Sequence, residues 1–526
     1  MEPRLQARGA RGLAFALIGP EFFPAARASA TFLDVQAPVP VRARATDLAA
    51  GALLVASFLA LVALLDRIAT GSNPDQWFHF AISRMSQAGL VRALPQAEDV
   101  GWGSGFPEKE FLFHRLTALA YAAGGERAIQ VLCRALSCGS ILLVYWLARR
   151  AAAPPIAAAS TFALTIANPY LLFRLGMVRP HVLAVFLFLA VIAALVCRWR
   201  VLGFLAGTAF ALAYHAVYVP AALAIAFAAV ALIQRRVEPD AARTRFAVSL
   251  AVLVGIVTGI AVNPYFPSNV VMGWAHLGFA LSSAASLPGV HVGAEVLPLS
   301  ASTYLRLFGI PLAAAIGCAV ALIVDARSGE KPWDRAILTA AALFLVGAAA
   351  RSVRAVEYGS PLLAVCVAQV LGDARRSRRA RIITTAALLL AAPWPLVAQL
   401  RRPPDLRHQQ IVRDLFAAIS AIPPEASGRK VFDCDWNYGS FLLYARPDLR
   451  FVDLLDPRFL LVNPDLFDAK RQLDLDTVPA PARAMRVLFN ADYALCANPA
   501  LNRRLERDGV RVLFAARSGI RLYALP

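Results

Sequence analysis

Apolar runs separated by short polar or basic segments fill the chain from about residue 48 to residue 400. Gly51–Leu65, Val182–Val196, Ala247–Val262 and Ala336–Ala350 are the clearest. Such runs approach the ~20 residues that carry a helix across the hydrocarbon core of a bilayer. The pattern predicts about eleven transmembrane helices. They fall near 48–65, 128–148, 155–171, 180–197, 201–214, 219–234, 246–263, 305–324, 336–350, 357–372 and 382–400. From about residue 405 the pattern shortens to that of a soluble unit. Lys430–Asp433 and Arg450–Asp453 read as strands around a short helix at Tyr438–Tyr444. Asp492–Ala497 reads as a strand, Pro499–Asp508 as a helix, and Val510–Ala515 with Ile520–Ala524 as a strand pair. The expected architecture is a polytopic α-helical membrane protein with a small C-terminal α/β domain. Residues 1–46 form an arm, disordered or surface-lying; 47–402 form the transmembrane domain with long outer loops at 66–127 and 264–304; 403–526 form the soluble domain.

Composition agrees with the pattern. Of 526 residues, 59% are hydrophobic and 17% charged, with a mean hydropathy of +0.58. That leaves too little polar surface for a soluble chain of this size. The net charge of +19 raises nucleic acid as a partner, but the arginines sit in short clusters between apolar runs, not in one patch with aromatics. This distribution is the positive-inside rule, and it excludes nucleic acid. With the N-terminus cytoplasmic, the inner loops hold Arg149/Arg150, Arg198/Arg200, Arg235/Arg236, Arg327/Lys331/Arg335 and Arg375/Arg376. The terminal domain and all seven histidines then lie outside. Seven cysteines show no CxxC pair. Cys434 and Cys496 can pair if the terminal domain meets an oxidising compartment; the other five read as packing residues.

The outer segments carry the candidate chemistry. Asp75 lies just beyond the first span, in Ser72-Asn73-Pro74-Asp75-Gln76-Trp77-Phe78-His79. It is placed either to act as a general base or metal ligand or to cap the helix that follows. Arg351, Arg354 and Glu357, spaced by three, can share one helix face at an outer helix end, lining a site or anchoring the helix at the headgroups. Arg179 and Arg174 are further candidates of the same kind. His79, His114, His181 and His215 share the outer side. Imidazole suits Zn²⁺ better than Mg²⁺ or Mn²⁺, but H-x-x-x-H spacing is absent, so each is expected to be a hydrogen-bonding wall residue for a sugar or a satisfied interfacial residue. Trp436 and Tyr438, on one turn with two acids, can stack on a sugar or close the soluble domain onto the membrane part.

Further segments extend the first-loop motif. Gly105-Phe106-Pro107-Glu108-Lys109-Glu110 leads into Phe111–Ala123, followed by Gly124-Gly125-Glu126-Arg127, Cys133-Arg134-Ala135, Asn168-Pro169-Tyr170 and Arg179-Pro180-His181. This order resembles the GT-C class of membrane glycosyltransferases, such as the aminoarabinose-transferring, protein O-mannosylating and oligosaccharyltransferase catalytic proteins, and most of all uncharacterised bacterial GT-C-like proteins. The resemblance covers about residues 48–372. It implies a protein of the bacterial inner membrane and cell envelope that moves a sugar from a polyprenyl-phosphate-linked donor to an extracytoplasmic lipid, glycan or protein. Asp75 matches the class's first-loop acid, which activates the acceptor or, in metal-dependent members, helps hold a divalent cation, Mg²⁺ or Mn²⁺. Gln76 replaces the second acid found more often in the class, and Glu108 or Glu110 can supply it instead. The class also needs a cation for the leaving phosphate, a role open to Arg354 with Arg351, or to Arg179, because a guanidinium holds two oxygens at once. A ligase using a diphosphate-linked oligosaccharide, a non-catalytic scaffold for a glycolipid or partner protein, and a transporter are the alternatives. The absence of internal repeats counts against the last.

Overall fold

A computed structural model describes residues 41–68, 73–281, 292–293, 295, 297–327, 333–373, 375–401, 406–475 and 477–526. Most of the expected N-terminal arm, together with His291 and Lys331, lies outside the described residues. Met1–Ala49 and Ala50–Pro526 are separate compact units, and the packing below is that of the second.

The first part of the chain is helical: α1 (Val41–Ile68), α2 (Asp75–Met85), α3 (Phe111–Arg149), α4 (Pro154–Ile166), α5 (Pro169–Gly176), α6 (His181–Cys197), α7 (Arg200–Ala213) and α8 (Tyr218–Gln234). There follow α9 (Pro239–Val262), α10 (Ser268–Leu281), α11 (Ala301–Arg327), α12 (Trp333–Ala348), α13 (Val356–Gly372), α14 (Arg378–Ala391), α15 (Pro393–Leu400) and α16 (Leu406–Ser420). Each predicted span falls on one or two of these helices. By length and composition, however, the described residues hold six helices able to cross a membrane, or seven if the bent pair α4–α5 is one span, and the shorter apolar helices α6, α7 and α8. The count of about eleven therefore exceeds what helix length alone supports, because hydropathy scores short helices and long ones alike.

Local chemistry explains the breaks. α4 and α5 meet at 86°. Pro169 disfavours a helical conformation for the residue before it, and Asn168 Oδ1 accepts from Leu171 N–H at 3.1 Å to start α5 afresh. α3 kinks at Gly124 and Gly125, the latter at φ +64°, a left-handed conformation that glycine adopts without steric penalty. α7 and α9 approach closely enough that a Cβ on Gly255 would lie 2.2 Å from Phe204 O and one on Gly259 2.4 Å from Thr208 O. Small residues permit this backbone contact, a packing mode common between membrane helices.

The C-terminal part contains β1 (Lys430–Asp433), α17 (Asn437–Ala445), β2 (Arg450–Phe451), α18 (Pro464–Asp474), α19 (Pro481–Leu488), β3 (Tyr493–Cys496), α20 (Pro499–Arg507), β4 (Arg511–Ala515) and β5 (Arg521–Ala524). The sheet order is β2-β1-β3-β5-β4, with β1 parallel to both neighbours and β5 antiparallel to both of its own. A disulfide joins Cys434, after β1, to Cys496, at the end of β3. The sheet shares its core with the first outer loop. Phe78, Ile82, Leu94, Trp102 and Phe106 pack in one cluster with Leu415, Phe441, Phe451 and Leu460. Trp77 sits among Phe416, Phe441 and Tyr444. Lys430 on β1 bonds Asp99 in a largely buried ion pair at 2.7 Å.

Candidate active site

Asp75 is the first residue of α2, after Pro74 at the cap, and its carboxylate ion-pairs with Arg179. Arg179, in the turn between α5 and α6, also grips Glu295 with two nitrogens, Nη1 to Oε2 at 3.2 Å and Nη2 to Oε1 at 3.3 Å. Arg174 on α5 donates from Nη1 to Glu295 Oε2 and from Nε to Glu357 Oε1, each at 2.6 Å. Arg354 donates to Glu295 Oε1. Three guanidiniums and three carboxylates thus form one continuous network, neutral in sum. Burial alone would raise the Glu295 carboxyl, but Arg179, Arg354 and Arg174 hold it well below the usual carboxylate range. The side chains of Arg174 and Glu357 are each 1% exposed, whereas Arg354 is 31% exposed. The network therefore opens to solvent at Arg354. There Arg354 Nε, buried, finds no acceptor among the described residues.

Two expectations change here. Arg351, Arg354 and Glu357 do not share a helix face: Arg351 is exposed in the turn after α12, Arg354 lies in a 3₁₀ turn at Val353–Ala355, and Glu357 is in the first turn of α13. Arg354 and Glu357 bond other partners rather than each other, and no side-chain hydrogen bond or ion pair among the described residues ties Arg351 to the network. His181 supports Arg174 from behind. Its Nε2–H donates to Arg174 O at 2.7 Å while Nδ1 accepts from the Arg174 guanidinium at 3.4 Å, so the ring fixes both ends of the arginine.

A second cluster adjoins the first through α2, since His79 lies one turn beyond Asp75. His79 Nδ1 is 2.9 Å from His114 Nε2 on α3, and His114 Nδ1–H donates to Glu108 Oε2 at 2.7 Å. Glu108 Oε1 also accepts from Glu110 N–H at 2.8 Å. Burial raises the Glu108 carboxyl, but His114 and the Glu110 amide outweigh it and leave the group below its usual range. Burial pushes His79 well below the ordinary imidazole range, reinforced by His114 and Arg179. His215, between α7 and α8, approaches Glu110 at 3.8 Å and stacks beside His276 with ring centroids 4.7 Å apart. Burial, reinforced by His276, likewise holds His215 well below the ordinary imidazole range.

Trp436 and Tyr438 belong to neither cluster. They line a separate cleft of about 280 Å³ beside β1, with Asp435, Lys470, Arg471 and Asp474. Sequence reasoning missed Glu295, which receives all three arginines. One signal was available: Glu295 is the only acidic residue between Asp240 and Asp325.

No family model and no curated protein sequence matches the chain. Its fold is nevertheless similar to that of a solved membrane oligosaccharyltransferase. The crystal structure of the Archaeoglobus fulgidus oligosaccharyltransferase, in complex with Zn and sulfate, superposes with a TM-score of 0.53 at 15% identity. The similarity covers 83% of this chain and 67% of that one. With its long apolar helices, the molecule is a membrane protein of that fold.

Proposed function

We infer that the protein is a GT-C-type glycosyltransferase of a bacterial inner membrane. It takes a sugar from a polyprenyl-phosphate-linked donor and passes it to an extracytoplasmic lipid, glycan or protein. The observation that carries this reading is the convergence of Arg174, Arg179 and Arg354 on one carboxylate, with Asp75 in the same network. Guanidiniums that hold a carboxylate in this way suit a phosphate equally well. The donor phosphate enters at Arg354, where the network is open, and displaces Glu295; the guanidiniums then stabilise charge on the leaving phosphate. Asp75 accepts the acceptor's proton. The fold supports the reading, and the Cys434–Cys496 disulfide supports an extracytoplasmic C-terminal domain.

The residues at Asp75 do not fit a divalent cation of the Mg²⁺ or Mn²⁺ kind. Asp75 and Glu295, the acids available there, are already bridged by Arg179, so a guanidinium stands where such a cation would be held. That same bridge favours a second reading, a non-catalytic scaffold that binds a glycolipid with Asp75 serving only as Arg179's partner.

Full-length protein in nanodiscs tests both. Undecaprenyl phosphate is expected to bind better than undecaprenol, and Arg354→Gln is expected to weaken that preference about tenfold or more, as loss of a charge-assisted pair would. Equal binding of phosphate and alcohol overturns the lipid-phosphate site. Asp75→Asn is expected to abolish transfer from a polyprenyl-phosphate hexose while the protein inserts normally. Binding without transfer in the unaltered protein would instead establish the scaffold.

A further inference from the structure

The cluster around His79 and His114 has a use that the arginine network does not explain. His79 on α2, Glu110 just before α3 and His114 on α3 are all buried, and one donor atom from each lies within 4.8 Å of the others. The hydrogen-bond pattern fixes how the rings point. In the neutral ring, His114 Nδ1–H donates to Glu108 and leaves on Nε2 a lone pair that faces His79 Nδ1 at 2.9 Å. A carboxylate holding the far nitrogen of an imidazole is the usual outer support of a metal-bound histidine, since it sets the tautomer and makes the ligand nitrogen more basic. Glu108 is itself oriented, through the Glu110 amide. The arrangement therefore contains three ligands and the group that aims one of them.

We propose that His79 Nδ1, His114 Nε2 and a Glu110 carboxylate oxygen bind a zinc-class divalent transition-metal ion, with Glu108 as the positioning residue. Two imidazoles and a carboxylate suit Zn²⁺ rather than Mg²⁺ or Ca²⁺, which prefer all-oxygen surroundings. His79 need only shift its proton from Nδ1 to Nε2 to turn a lone pair toward the ion. His215 offers a further nitrogen beside the site. Its Nδ1 is buried, has no hydrogen-bond partner among the described residues, and lies 3.8 Å from Glu110 Oε1. The absence of H-x-x-x-H spacing has no bearing on such a site, because that spacing describes two ligands on one helix and here they come from two. The proposal is independent of the transferase reading: the ion can bind whether or not the arginine network accepts a lipid phosphate.

Purified full-length protein in detergent, stripped with chelator and reloaded, tests the site without an activity assay. About one equivalent of Zn²⁺ per chain is expected by elemental analysis, and Co²⁺ is expected to give the visible absorption of a four-coordinate nitrogen–oxygen site. His79→Gln and His114→Gln keep hydrogen-bonding side chains and are expected to lose both signals. Glu108→Gln is expected to retain the stoichiometry but bind ~10–100-fold more weakly, as loss of an outer-shell partner does. Zinc content near zero in the unaltered protein overturns the proposal, as does unchanged affinity in the two glutamine variants. If those variants fail to elute as the unaltered protein does, Glu108→Gln decides, and unchanged zinc affinity there overturns the site.

Discussion

At the residue scale, buried charge is tolerated here only where a partner is fixed. Arg174 has Glu295 and Glu357 as acceptors and His181 as a brace, so its desolvation is offset by charge-assisted bonds. The acids beside β1 are held differently. Asp433 and Asp453 are fully buried near Lys470, and the Oδ2 atom of each lacks a partner among the described residues. Burial raises both carboxyls, Asp453 to about 6, against the opposing pull of Lys470. A carboxyl raised on folding contributes stability that is complete below its unfolded value and is lost as pH rises through the folded value. Asp453→Asn, which mimics the protonated form and keeps an oxygen for the Leu454 amide, is therefore expected to be more thermostable than the unaltered protein at pH 8. The gap should narrow as pH falls through about 6 and close only near pH 4. Melting curves across that range check it; a gap that widens on acidification contradicts the assignment. Asp75 shows the limit of local reading. An aspartate at a helix start reads locally as a cap, but its ion pair with Arg179 exists only because the turn after α5 lies beside α2.

At the element scale, helix ends and helix approaches do most to shape the membrane part. The Asn168-Pro169 break and the Gly124-Gly125 kink are legible from the residues themselves, because proline and glycine act on their own backbone. The close α7–α9 contact is not, since nothing local distinguishes Gly255 from Gly309. A Cβ at Gly255 would meet Phe204 O at 2.2 Å, while one at Gly309 has no atom within 4 Å. Gly255→Leu is accordingly expected to destabilise the protein by at least ~1–3 kcal/mol through overpacking, seen as a lower melting temperature in detergent. Gly309→Ala should leave it unchanged or slightly raised. Equal effects would mean that α7 and α9 do not pack as described. The 3₁₀ turn carrying Arg354 belongs to the same scale. By interrupting the helix before α13 it frees Arg354 to face Glu295, which a continuous helix with Arg351, Arg354 and Glu357 on one face would not.

At the scale of the whole molecule, the first outer loop and the C-terminal sheet share one core, and Asp99–Lys430 is the charged tie within it. Removing one partner of a buried pair costs about 3–5 kcal/mol, whereas replacing both by apolar groups restores much of the loss. Lys430→Met is expected to lower the melting temperature and expose the C-terminal part to protease, and Asp99→Leu combined with it should recover most of the difference. Additive losses in the double variant would show that the two residues do not interact. The amino-acid sequence by itself determined that this is a membrane protein with a small α/β unit at its end, because hydrophobic run length and strand alternation are properties of neighbouring residues. It also marked Asp75, Arg179, Arg354 and the histidines as polar groups with reason to be where they are. Tertiary structure alone decided their partners. Glu295 joins Arg174 and Arg179 across more than a hundred residues of chain and Arg354 across 59, and His79 meets His114 from another helix. Such pairings depend on where whole helices cross, and no local pattern encodes that.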